Sequence, residues 1–116
     1  MAEVNPNDVC AAGIEDIQRA IDKLSALTLQ PGADIPGIDA HIDALQDSQA
    51  DLRNQALRAI EDSAASKLAI AALNAAAAAL TAEASKIKDV GTALAGAAKV
   101  VSAAGSLVTA LAPFLV

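Results

Sequence analysis

His41 and Cys10 are the side chains of this 116-residue sequence with the clearest capacity for catalysis or metal binding. His41 is the only histidine, and its helical neighbours three and four residues away are apolar or glycine. No local carboxylate therefore orients it, and no second local ligand joins it at a metal. Cys10 belongs to an apolar series, which predicts a small buried side chain rather than a nucleophile. With no phosphate loop or zinc spacing visible, the sequence predicts a protein without enzymatic activity, cofactor or metal.

The most unusual polar pattern is a run of four aspartates at a strict spacing of four: Asp39, Asp43, Asp47 and Asp51. On a helix they form one acidic ridge, although each like-charged pair at this spacing costs about 0.2–0.5 kcal/mol. A straight row of carboxylates cannot surround a cation as a calcium loop does. Two interpretations stay open: a ridge that docks a basic partner, and a solvated face that keeps an alanine-rich chain soluble.

The C-terminal segment, residues 90–116, carries Lys99 as its only charge, and 17 uncharged residues follow that lysine. This length reaches the lower edge of the roughly 17–25 residues that span a bilayer. A lysine at the centre of a span, however, costs about 2.5–3.5 kcal/mol. Because apolar residues occur on nearly all its faces, we expect this segment to be covered by a partner chain or by lipid. The predicted association surface consists of Leu94, Val101, Val108, Leu111 and Phe114.

Hydrophobic periodicity places these residues on helices. Asn5-Pro6-Asn7-Asp8 has the proline and short polar residues typical of a helix start. An apolar series with spacings of three and four follows and predicts helix 1 over about 7–29. That series is Cys10, Ile14, Ile17, Ile21 and Leu24.

After Pro31-Gly32 and Pro36-Gly37 the same alternation resumes and runs without glycine or proline from 38 to 90. It predicts one long helix 2 over about 37–89. The apolar series is weakest at Ser63 and Ser66, so the alternative is a break near 62–66 that gives a four-helix bundle.

A third helix is predicted over about 92–112. Gly91 marks the turn before it, and Pro113 ends it. The expected fold is therefore a single all-α domain over residues 1–116, an antiparallel hairpin or bundle of three long helices. If helix 2 is continuous, each end of the molecule has only two helices, and a second chain would complete the core. We therefore expect a homo-oligomer.

Charge is unevenly distributed along the chain. Residues 1–62 hold 12 acidic and 4 basic side chains, whereas residues 63–116 hold 2 acidic and 4 basic. Nucleic acids require a basic face, and single strands also require stacking aromatics, of which this chain has Phe114 alone. We therefore predict no nucleic-acid binding. The N-terminus lacks the basic and apolar regions of a secretory signal, so the predicted location is cytoplasmic by default, with signal-less secretion or membrane association left open.

Two functions follow from these features. The first is a non-enzymatic helical assembly or adaptor protein that self-associates and docks to a protein partner not identified by the sequence. The alternative is a protein, secreted or pore-forming, that associates conditionally with membranes through residues 90–116. The plan of a helical hairpin followed by an Ala-, Gly- and Val-rich apolar helix resembles small helical secretion substrates and α-helical pore-forming proteins. It equally resembles coat proteins of hydrophobic granules, in composition only and without a shared motif.

Overall fold

A computed structural model describes residues 6–55 and 64–115 of the chain, and the surroundings of the side chains over 6–55 and 67–115. It confirms the all-α class. The helices are Pro6–Leu27 (α1), Ile35–Asn54 (α2), Ala64–Ser85 (α3) and Val90–Leu111 (α4), followed by a short 3-10 turn at Ala112–Phe114.

The prediction of one continuous helix over 37–89 is wrong. α2 ends at Asn54, where Gln55 turns to extended backbone, and α3 begins at Ala64. The alternative of four helices is the observed one, although part of the predicted break near 62–66 lies outside the described residues. The physical reason is that folding back lets the second half of the series reach the core of the same chain. Leu73 and Leu80 are both completely buried.

Capping residues set the beginnings of α2 and α4 earlier than the sequence pattern suggested. The Asp34 carboxylate accepts a hydrogen bond of 3.1 Å from the N–H of Gly37, so Pro36-Gly37 lies in the first turn of α2 and not in the preceding loop. Proline suits this turn because its missing N–H has no helical partner there. Asp89 forms a capping box with Thr92, which starts α4 at Val90.

The four helices pack as a bundle in which one diagonal pair of helices packs closely and the other does not. α1 and α4 contact each other and both remaining helices, whereas α2 and α3 occupy the two far corners with at most marginal mutual contact. The bundle measures 52 × 24 × 17 Å. α3 therefore packs on two neighbours, α1 and α4, and no other helix within residues 6–55 and 64–115 covers its opposite side.

The contact between the diagonal helices α1 and α4 depends on a close approach of their backbones. A Cβ atom added to Gly13 would collide with a methyl carbon of Leu107, so a larger residue at this crossing would require the Leu107 side chain to move. Leu107 itself is completely buried. The crossing thus brings the predicted apolar series of α1 directly against α4. Four members of that series are buried and Ile14 is half-buried against them.

Candidate functional site

The four aspartates lie together on the exposed side of α2. Asp39, Asp43, Asp47 and Asp51 are all solvent-exposed, as expected of a helix ridge. Among the described residues, no group of three or more His, Cys, Asp or Glu side chains is placed to hold a metal ion. Docking of a basic partner to this ridge stays a prediction.

The two candidates for catalysis, Cys10 and His41, lie on different helices, α1 and α2. His41 is half-buried on α2. Cys10 is 6% exposed, and its thiol donates a hydrogen bond of 3.1 Å to the carbonyl oxygen of Leu52. Burial raises the pKa of the Cys10 thiol by desolvating the thiolate. The prediction of a small buried side chain at Cys10 is confirmed.

Polar side chains around the buried Asp16 join α1 to α3, and the sequence did not predict them. The hydroxyl of Thr81 donates a hydrogen bond of 2.6 Å to Asp16, which also pairs with Arg19. The ammonium of Lys23 donates to the carbonyl oxygen of Ala84 at 3.1 Å, at the C-terminal end of α3. These contacts cross from α1 to α3 over more than 60 residues of chain. These hydrogen bonds hold α3 against α1 and therefore have a structural role.

The five residues of the predicted association surface do not share one exposed face. Leu111 is completely buried and Phe114 is 3% exposed, both within the chain itself. Val101 and Val108 are half-buried, and Leu94 is 37% exposed. Their role in association stays a prediction, and Leu94 is the most exposed of the five.

The side of α4 that packs against the core is not the side that carries Leu94, Val101 and Val108. Its packed side combines small residues with two leucines: Ala93, Ala97, Val100, Ala103, Ala104, Leu107 and Leu111. Alanine lets the neighbouring backbones approach closely, and α4 has three neighbouring helices to cover it. Its outer side is small and weakly polar, with Lys99 exposed near the middle.

A continuous apolar surface lies on the uncovered side of α3. Seven exposed residues recur at helical spacing on this side, and we call them the α3 outer face: Leu68, Ala71, Ala72, Ala75, Ala78, Ala79 and Ala82. Leu68 is 76% exposed. No ionised residue occurs between 68 and 82. The signal for this surface in the sequence is the 12 alanines within residues 64–84.

Two helices of the described chain are long and apolar enough to cross a membrane, and they are consecutive. The segments are Lys67–Ser85 in α3 and Val90–Phe114 in α4 with the following turn. A core helix of a soluble protein often has the same length and composition, but it is mostly buried. Here the buried share is 22% for the first segment and 33% for the second. Most residues of the first segment are exposed, whereas the second segment is divided between exposed residues and residues that are buried or half-buried.

Charge divides between the two halves of the bundle. Among the described residues, the acidic ridge and five of the seven other carboxylates lie on α1, α2 and their loop, whereas the later half carries Lys67, Lys86, Lys88 and Lys99 against two carboxylates. A comparison of this chain with models of protein families, with curated proteins and with solved structures finds no match.

Proposed function

We propose that this protein attaches reversibly to a lipid membrane through the layer formed by α3 and α4. The observation that carries the proposal is the low burial of two consecutive apolar helices, 22% and 33%. An apolar surface of this length is stabilised when water is excluded from it, at roughly 25 cal/mol per Å². The acidic half of the molecule, α1 and α2, would remain in water.

Attachment at the membrane surface fits the charges better than a transmembrane hairpin. A hairpin of α3 and α4 would carry Lys86, Lys88 and Asp89 across the bilayer and leave Lys99 near its centre. A central lysine alone costs about 2.5–3.5 kcal/mol. Insertion would also open the bundle, and a domain of this size has a total stability of only about 5–15 kcal/mol. Surface attachment requires neither step.

The test is liposome flotation of the full-length protein with two matched variants. Leu68→Glu places a charge on the α3 outer face, whereas Leu29→Glu places one at an equally exposed leucine outside it (76% and 86% exposed). Burying a leucine is worth about 1.5–3 kcal/mol, so Leu68→Glu should weaken co-flotation by about ten-fold or more. Leu29→Glu should float like the wild type. A wild-type protein that stays at the bottom of every gradient would refute membrane attachment.

Self-assembly is the second candidate, favoured by the same exposed alanines, because small side chains allow close packing between helices of two chains. The earlier reason for expecting an oligomer was a core left incomplete by a continuous helix 2. Four helices in one chain remove that reason. Sedimentation equilibrium without lipid separates the candidates: a dimer that Leu68→Glu dissociates and Leu29→Glu preserves would favour assembly.

A further inference from the structure

We infer that the preferred surface is an anionic membrane and that the α3 outer face lies flat on it while the bundle stays closed. This inference rests on the proposed function and adds the lipid class, the contacting helix and the state of the bundle. The alanines of the α3 outer face do not by themselves choose between a lipid and a protein. The choice comes from the charges around them.

Lysines stand at both ends of the α3 outer face. Lys67 precedes Leu68, and Lys86 and Lys88 follow the end of the helix at Ser85; all three lysines are exposed. Lys86 forms an ion pair of 3.1 Å with Glu83, and Asp89 follows Lys88, so Lys67 is the lysine at these ends without an acidic residue beside it in the described sequence. α3 has 22 residues and is therefore about 33 Å long. Lysines at the ends of a helix that lies in the membrane plane can extend their ammonium groups to the phosphates while their methylene stems cover apolar surface.

The neighbouring helix α1 turns its cations toward α3. Lys23 binds the Ala84 carbonyl oxygen of α3, and Arg19 pairs with Asp16, the residue that Thr81 of α3 contacts. Arg19, Lys23 and the Asp16 carboxylate together give this side of α1 a net charge of +1. α4, the other neighbour of α3, contributes Lys99 on its exposed side.

The acidic ridge is placed where it interferes least with an anionic surface. It lies on α2, which occupies the corner opposite α3 in a bundle 24 Å across its wider transverse direction. At physiological ionic strength the screening length is about 8 Å. The aspartates would therefore be screened from headgroups that contact α3.

The closed bundle follows from the same contacts. Leu73, Leu80 and Ala84 bury one side of α3 against the core while the α3 outer face is already accessible. Binding on this face needs no separation of α3 from α1. The Thr81–Asp16 and Lys23–Ala84 hydrogen bonds would remain intact.

The experiment compares vesicles of phosphatidylcholine alone with vesicles of equal parts phosphatidylcholine and phosphatidylglycerol. We expect co-flotation with the anionic vesicles at low ionic strength and its loss at about 1 M salt, where the screening length is about 3 Å. A basic residue near an anionic surface contributes about 1 kcal/mol, so Lys67→Gln and Lys88→Gln should each weaken binding by about five-fold. Arg53→Gln, on an exposed position of α2, is the matched control and should bind like the wild type.

A cysteine at a buried position of α3 reports on the bundle. In a Cys10→Ala background, Ala84→Cys places a thiol where the native residue is 5% exposed. We expect it to react with a water-soluble thiol reagent equally slowly with and without anionic vesicles. Faster reaction with vesicles would show that α3 leaves α1 and would overturn the closed-bundle inference.

The other outcomes are also distinct. Equal binding to neutral and anionic vesicles, unaffected by either lysine substitution, would overturn the inference and leave the proposed function standing. Binding to neither vesicle would refute both. A salt-insensitive dimer without lipid that Leu68→Glu dissociates would assign the α3 outer face to a second copy of the chain and likewise overturn the inference.

Discussion

The hydroxyl of Thr81 on α3 donates a hydrogen bond of 2.6 Å to the carboxylate of Asp16 on α1. Asp16 is 8% exposed, and its other oxygen receives a hydrogen bond of 3.1 Å from Arg19. A carboxylate at this depth is stabilised by donors that replace the water it has lost. The pair therefore fixes the position of α3 along α1.

Thr81→Val should lower the free energy of unfolding by about 1–3 kcal/mol, because Asp16 keeps its burial and loses a donor. Thr109→Val is the control, since the hydroxyl of Thr109 bonds to the Gly105 carbonyl oxygen within its own exposed stretch of α4. Its effect should stay within about 0.5 kcal/mol. Urea denaturation of the two variants measures the difference, and equal losses would show that the Asp16 contact contributes nothing.

Gly13→Ala and Gly105→Ala should change stability in opposite directions. At Gly13 the added methyl group would collide with a buried methyl group of Leu107, and overpacking of this kind costs about 1–3 kcal/mol. At Gly105 no atom lies within 4 Å of the added Cβ, and alanine favours a helix over glycine by about 0.5–1 kcal/mol. Thermal unfolding of both variants checks the signs. A stabilised Gly13→Ala protein would disprove the close approach of α1 and α4.

Asp43→Ala should stabilise the protein by about 0.5–1 kcal/mol at low salt. The substitution removes two like-charge contacts at a spacing of four, with Asp39 and Asp47, and introduces a better helix former. Asp89→Ala removes the capping box of α4 and should instead cost about 0.5–2 kcal/mol. Chemical denaturation at low and high salt tests both, because the charge-repulsion part of the gain at Asp43 should shrink as salt rises. A loss of stability at Asp43 would mean that the ridge makes a favourable contact in the folded chain.

The buried thiol predicts how stability depends on pH at the alkaline end. The pKa of Cys10 is raised in the folded chain, so the unfolded chain releases this proton first. The contribution of Cys10 is therefore fully present below its unfolded pKa and is lost as pH rises through the folded value. We expect the wild type to lose more stability than Cys10→Ala between neutral pH and about pH 10, where lysines titrate equally in both proteins. Parallel pH profiles would contradict a desolvated thiol.

Sequence periodicity identified which residues share a helix side, but it did not identify which neighbours cover that side. The series through Leu73, Leu80 and Ala84 was predicted and is buried. The same series passed through alanines and serines between residues 56 and 66, where small side chains fit a continuous helix and a folded-back chain nearly equally well. The choice between three and four helices depended on contacts far apart in sequence, which a local pattern does not contain.

The exposed surface was harder to predict than the core for the same reason. In α4 the predicted surface did not include Leu107, yet α1 packs closely on this residue at Gly13, and Leu111 of the predicted surface is completely buried. Asp16 and Thr81 are 65 residues apart, so the local sequence around either residue does not predict their hydrogen bond. The aspartate ridge was predicted correctly as exposed because its pattern is complete within one helix.

The contact of α1 with α4 across the bundle also determines whether a single copy of the chain could conduct a solute. Where α1 and α4 cross at Gly13 and Leu107, side chains and backbone fill the middle of the bundle. The smallest dimension of the molecule, 17 Å, is about the thickness of two helices in contact. The described helices therefore enclose a packed interior along this crossing rather than a lumen. An aqueous conduit would have to form between several copies, and each copy would have to contribute a wall.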